Sequence, residues 1–123
     1  MGYDIQITRS PGYHFDNEGH QISAEEWLKY VEADPELRLA GGNGPYFAIW
    51  SGKYRYPEAW FDWDEGNIYT KNPDPAITGK AIAIAAALGA RVQGDDGEVY
   101  LPEGKVERDG VIDEQDGMDW RLW

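Results

Sequence analysis

Three short aromatic runs, set apart by residues that favour turns, limit what this chain can fold into more than any other feature. Tyr46 to Ser51, Ala59 to Asp64 and Asn67 to Lys71 are each of strand length and rich in aromatic side chains. Asp64, Glu65, Gly66 and Asn67 supply the turn chemistry of a tight hairpin between the last two. The Gly52 to Pro57 connection is longer and carries Lys53, Tyr54, Arg55 and Tyr56. Together the runs read as an antiparallel meander.

The segments around them complete one small domain. Tyr3 to Arg9 alternates Ile5 and Ile7 with Asp4, Gln6 and Thr8, the pattern of a half-buried strand. Ser23 and Glu26 make a capping box, with Ile22 and Trp27 at the positions of a hydrophobic staple. The helix they open runs to about Ala33, with Trp27, Leu28 and Val31 toward the core, and Asp34 and Pro35 close it. Leu37 to Leu39 is a short piece, extended or helical. Asp74 is an N-cap with Pro75 at the first helical position, and Ile77, Ala81, Ile84, Ala85 and Leu88 form one stripe that ends at Gly89. Arg91 to Gln93 and Glu98 to Leu101 read as a last hairpin. The order β-α-β-β-β-α-β-β predicts an α+β fold, a mostly antiparallel sheet with two helices packed on one face. The domain spans residues 1–101. Residues 102–123 read as an acidic, polar tail whose period is lost, yet it ends in Trp120 and Trp123, which predicts that its end docks on its own body or on a partner.

Charge narrows the functional classes. The chain carries net charge −12 over 123 residues together with six Trp and eight Tyr. Acidic chains without aromatics stay unfolded, because they bury too little apolar surface to offset chain entropy. This one has the aromatics of a folded domain and a surface suited to a positive partner. Residues 1–93 hold 13 acids and 8 bases, and residues 94–123 hold 10 acids and 3 bases. Direct nucleic-acid binding is disfavoured, since no basic patch with interleaved aromatics is present. Cysteine is absent, which removes disulfides, thiolate nucleophiles and the common zinc frameworks. The start, Met1 to Ile5, lacks the basic region and apolar core of a signal peptide, and no apolar run approaches the ~18 residues of a membrane helix. The expectation is a cytoplasmic domain with no cofactor, no metal and no membrane partner.

The meander's two faces carry the functional signal. Phe47, Ile49, Phe61, Trp63 and Ile68 are expected on the helix side. Tyr46, Trp50, Trp60, Asp62, Asp64, Tyr69 and Lys71 are expected on the other. A face that met only water would be polar. Large aromatics beside carboxylates are instead the residue types that anchor protein interfaces. Two alternatives stay open: the tail folds over this face, or the register is shifted by one residue and the faces are exchanged. The candidate partner-binding residues are Trp50, Trp60, Asp62, Asp64 and Tyr69, with Asp95 and Asp96 as rim charges.

Weaker chemical readings meet simpler ones. Asp95 and Asp96, between Gly94 and Gly97, could ligate a hard cation, but a hairpin turn asks for the same residues. His14, Asp16, Glu18 and His20 alternate along a loop and could hold a transition metal or simply be solvated. Asp62 and Asp64 would need a cleft to act as a hydrolytic pair. No nucleophile elbow, phosphate loop or dinucleotide fingerprint occurs, so no catalytic residues are assigned and the chain reads as a non-enzyme.

The runs Gly66 to Asp74 and Leu88 to Tyr100, with Ile22 to Trp27 and Asn43 to Phe47, resemble a group of small bacterial proteins of uncharacterised function. The resemblance covers residues 1–101 and implies a bacterial origin. The size, acidity and aromatic sheet are also similar in kind to immunity proteins that neutralise secreted toxins. That likeness implies an acidic inhibitor of a basic toxin or effector. The alternative is a small-ligand-binding protein or enzyme with a pocket lined by Trp and Tyr.

Overall fold

The structure, a computed structural model, describes residues 4–10, 17–52, 59–71, 75–94, 97–101, 105–108 and 111–114. Asp95 and Asp96, His14 and Asp16, the Asp74 cap, the connection from Lys53 to Pro57 and the terminal Trp120 and Trp123 lie outside the described residues.

Helix α1 (Ala24–Ala33) starts where its capping box places it. The Glu26 N–H donates to Ser23 Oγ at 3.1 Å, and the Ser23 N–H donates to Glu26 Oε1 at 3.0 Å. Two orphan donors of the first turn are thereby satisfied. Ile22 and Trp27, the staple pair, are both sealed in the core. Helix α2 (Pro75–Ala87) buries Ile77, Ala81, Ile84 and Ala85. It ends with Gly89 at φ +64°, and the Ala90 N–H returns to the Ala85 carbonyl, a Schellman closure that needs a left-handed residue.

Strands β1 (Asp4–Thr8), β2 (Leu37–Leu39), β3 (Phe47–Trp50), β4 (Ala59–Asp64), β5 (Asn67–Lys71), β6 (Arg91–Gly94), β7 (Val99–Leu101), β8 (Lys105–Arg108) and β9 (Val111–Glu114) form one sheet in the order β2-β3-β4-β5-β1-β6-β7-β8-β9. Every pairing is antiparallel. Glu65 at φ 48° and Gly66 at φ 91° give the β4–β5 hairpin two left-handed central residues, which matches the right-handed twist of its strands. The fold is α+β, with both helices feeding one core against one sheet face. Its elements follow the expected β-α-β-β-β-α-β-β order, with β2, β8 and β9 added.

Strand β1 lies at the centre of the sheet, which alters the expectation of a half-buried strand. Ile5 and Ile7 face the helices at 1% exposure, but Gln6 and Thr8 on the opposite face are equally covered. Gln6 sits between Tyr69 and Gln93 in the ladder. Beyond Leu101, where no period is legible in the sequence, the sheet continues into β8 and β9. Val106 of β8 stands opposite Tyr100 and is buried.

The sidedness of β3 is a correction. The sequence pattern puts Trp50 and Tyr46 on the far face and Phe47 and Ile49 in the core. The structure buries Ala48 and Trp50 and leaves Phe47 and Ile49 half-buried. The cause is steric. Ala59 stands opposite Trp50 and Ala48 stands opposite Phe61, so each large ring meets a small residue across the ladder. Trp50 Nε1 then donates to Glu36 Oε1 at 3.0 Å. Tyr46 packs edge-on against Trp63 at 4.8 Å, and its carbonyl accepts the Trp27 indole N–H at 2.8 Å.

Ion pairs tie the helical layer together. Arg9 forks onto Glu26 at 3.0 and 2.6 Å and donates its Nε–H to the Leu88 carbonyl, joining β1, α1 and the end of α2. Hydrogen bonds from Arg9, then from the Ser23 backbone, hold Glu26 down at about 2, against an ordinary 4.5. A carboxyl depressed in the folded state stabilises fully above its unfolded pKa and loses that contribution as pH falls. Solvent screening moderates the effect, because Glu26 is 43% exposed. Glu26→Gln is therefore expected to flatten the decline of urea stability between about pH 5 and about pH 2 relative to the parent. Parallel declines in parent and variant would show that the pair does not set this acid sensitivity.

Candidate protein-binding face

On the sheet face turned from the helices, β4 sets the pattern. Its buried residues Ala59 and Phe61 alternate with half-buried Trp60 and Asp62, and Asp64 is exposed. Register then decides the neighbours. Ile49 stands opposite Trp60, Phe47 opposite Asp62, and Tyr69 on the other side of Asp62. Diagonal approach brings Phe47 and Trp60 into a stacked pair, with centroids 5.2 Å apart and planes 27° from parallel. Asp62 thus sits in a row between Phe47 and Tyr69, with Trp60 before it and Asp64 after it on its own strand.

The electrostatics of this row are one-sided. Burial, then the nearby Asp64 charge, pushes the Asp62 carboxyl above its ordinary value. Tyr69 is also raised, chiefly by burial, and the Asn67 amide that donates to its hydroxyl at 3.3 Å acts in the opposite sense. Among the described residues, the side chains of Asp62 and Asp64 have no ion-pair or hydrogen-bond partner. The ion pairs found among those residues use Arg9 and Lys80, both on the helical side. Basic residues do border the far face. Lys71 is exposed opposite Asp4, and Arg38 is exposed opposite Ile49 on the edge strand.

Of the residues singled out from sequence, the structure brings Trp60, Asp62, Asp64 and Tyr69 together on this face. Trp50 does not join them, since its ring is in the core. Phe47 and Ile49 take the place the sequence pattern assigned to Trp50 and Tyr46. The signal that could have found them is the pair of alanines, Ala48 and Ala59, which leave core room only for rings directly across the ladder.

Other chemistry gains less from the geometry. A shallow depression of about 240 Å³ is lined by Thr8, Arg9, Ser10, Gly89, Ala90 and Arg91. Arg9, one of its two charges, is already turned into the Glu26 pair and the Leu88 carbonyl. Among the described residues no three His, Asp or Glu converge as metal ligands, and Glu18 and His20 are exposed. Among them, too, no helix is long and apolar enough to cross a membrane. Comparison with protein-family models, curated proteins and solved structures finds no match to this chain.

Proposed function

We propose that this chain is an acidic protein-binding module, an immunity-type inhibitor acting in the cytoplasm on a basic bacterial toxin or effector. The observation that carries this reading is Asp62, a half-buried carboxylate without a cation among the described residues, set among Phe47, Trp60 and Tyr69. Holding a carboxylate partly out of water without a donor is unfavourable, and a cationic partner reverses that cost. Trp60 and Phe47 supply apolar area with few rotamers to freeze, and Asp64 stands at the rim. The net charge of −12 adds long-range attraction for a basic protein and repulsion for phosphate backbones.

The test is kinetic. The protein captured on the immobilised chain at low salt is identified, produced in pure form and measured for association. A basic partner whose on-rate falls at least about tenfold between about 50 and about 500 mM salt, and which Trp60→Ala releases faster, is the expected result. An acidic or neutral partner, a salt-indifferent on-rate or unchanged release from Trp60→Ala would overturn the reading.

A further inference from the structure

We infer that the locus formed by Trp60, Phe47, Asp62 and Asp64 is a receptor for one arginine side chain of the partner. This rests on the docking reading above and specifies what the face recognises. Its first ground is shape. The Trp60 and Phe47 rings stack on each other, 27° from parallel with centroids 5.2 Å apart, so Phe47 holds the indole in place. The indole's other face is the surface on which a planar guanidinium stacks more completely than a compact ammonium.

The second ground is donor count. Asp62 and Asp64 are two residues apart on β4 and share its far face, so their Cα atoms are roughly 7 Å apart along the strand. Guanidinium offers five N–H groups in a rigid fork. One edge can meet Asp62 while the remaining donors reach toward Asp64 or water. An ammonium has three donors at one point and suits a single carboxylate.

Hydration is the third ground. Asp62 is half-buried, between Phe47 and Tyr69, so a ligand must shed water to reach it. Guanidinium is more weakly hydrated than ammonium and gives up that water at lower cost. The upward displacement of the Asp62 carboxyl by burial is in keeping with a site short of compensating positive charge.

The whole chain, labelled with ¹⁵N, is titrated with N-acetyl-arginine methylamide, N-acetyl-lysine methylamide and N-acetyl-citrulline methylamide, with the Trp60 indole resonance assigned through Trp60→Phe. The arginine probe is expected to shift the Trp60 indole and the amides of residues 60–64 at about millimolar concentration, with lysine about threefold weaker and uncharged citrulline silent. Asp62→Asn, nearly isosteric, is expected to weaken the arginine response about tenfold. Equal response to lysine and arginine, no response, or full response in Asp62→Asn would overturn the arginine assignment. The first of these would leave a basic-partner face standing. Salt-indifferent association with the whole partner, beside an intact arginine response, would remove the docking reading and leave the receptor.

Discussion

Lys80→Met is expected to lower the free energy of unfolding at neutral pH by about 3 kcal/mol, the scale for removing one member of a buried ion pair. Lys80 Nζ donates to Asp34 Oδ2 at 2.7 Å and to Glu36 Oε1 at 2.8 Å. The Lys80 and Asp34 side chains are each only 10% exposed, so Asp34 without Lys80 is an uncompensated charge held away from water. Glu36 is 52% exposed and can turn to solvent, which places the cost chiefly on Asp34. Methionine retains the apolar stem of lysine, so lost packing contributes little.

The pH dependence separates this mechanism from a general loss of packing. In the parent, burial pushes Asp34 up, but hydrogen bonds from Lys80, the Glu36 N–H and Tyr30 outweigh it and hold Asp34 below its ordinary value. Lys80, then Trp50, does the same for Glu36. Acids depressed by folding stabilise the protein above their unfolded pKa values and lose that contribution as pH falls. Removing Lys80 takes away the largest interaction opposing burial at Asp34, so its carboxyl moves upward and the variant loses less than the parent when the group is protonated. Urea unfolding at pH 7 and at about pH 4 is expected to show a deficit that narrows on acidification. A deficit of the same size at both pH values would assign the loss to packing.

This network also illustrates what a sequence can and cannot display. Local chemistry is legible: Ser23 and Glu26 announce α1, Gly89 its counterpart's end, and Asp64 to Asn67 the hairpin, because each motif closes within a few residues. Trp60, Asp62 and Asp64 were legible as one face because β4 alternates large and small buried residues with polar or amphipathic ones. Strand β3 offers no such alternation. Tyr46 to Trp50 is apolar throughout, and its facing is decided by Ala59 across the ladder and by Glu36, which captures the Trp50 indole. Strands β8 and β9 carry few apolar residues each, and their existence rests on the ladder, β8 pairing with β7 and β9 with β8. Lys80 reaching Asp34 spans 46 positions and leaves no local trace.

The two tryptophans that the sequence placed side by side are expected to behave oppositely. Trp50→Ala should cost about 3–5 kcal/mol of stability, as for deletion of a large aromatic from a packed core. Trp50 is 6% exposed, lies opposite Ala59, and donates to Glu36, so truncation opens a cavity and frees a carboxylate oxygen from one of its donors. Trp60→Ala removes a half-buried ring whose described partner is the stacked Phe47, on the face turned from the core, and should cost about 1 kcal/mol. The Trp50 site is crowded as well as filled: a Cβ built on Gly52 would collide with the indole itself, so Gly52→Ala must displace Trp50 and should approach the cost of truncating it. Denaturant midpoints for the three variants supply the comparison. Greater destabilisation by Trp60→Ala than by Trp50→Ala would exchange the two faces of the meander, and would place in the core the aromatic ring on which the binding face depends.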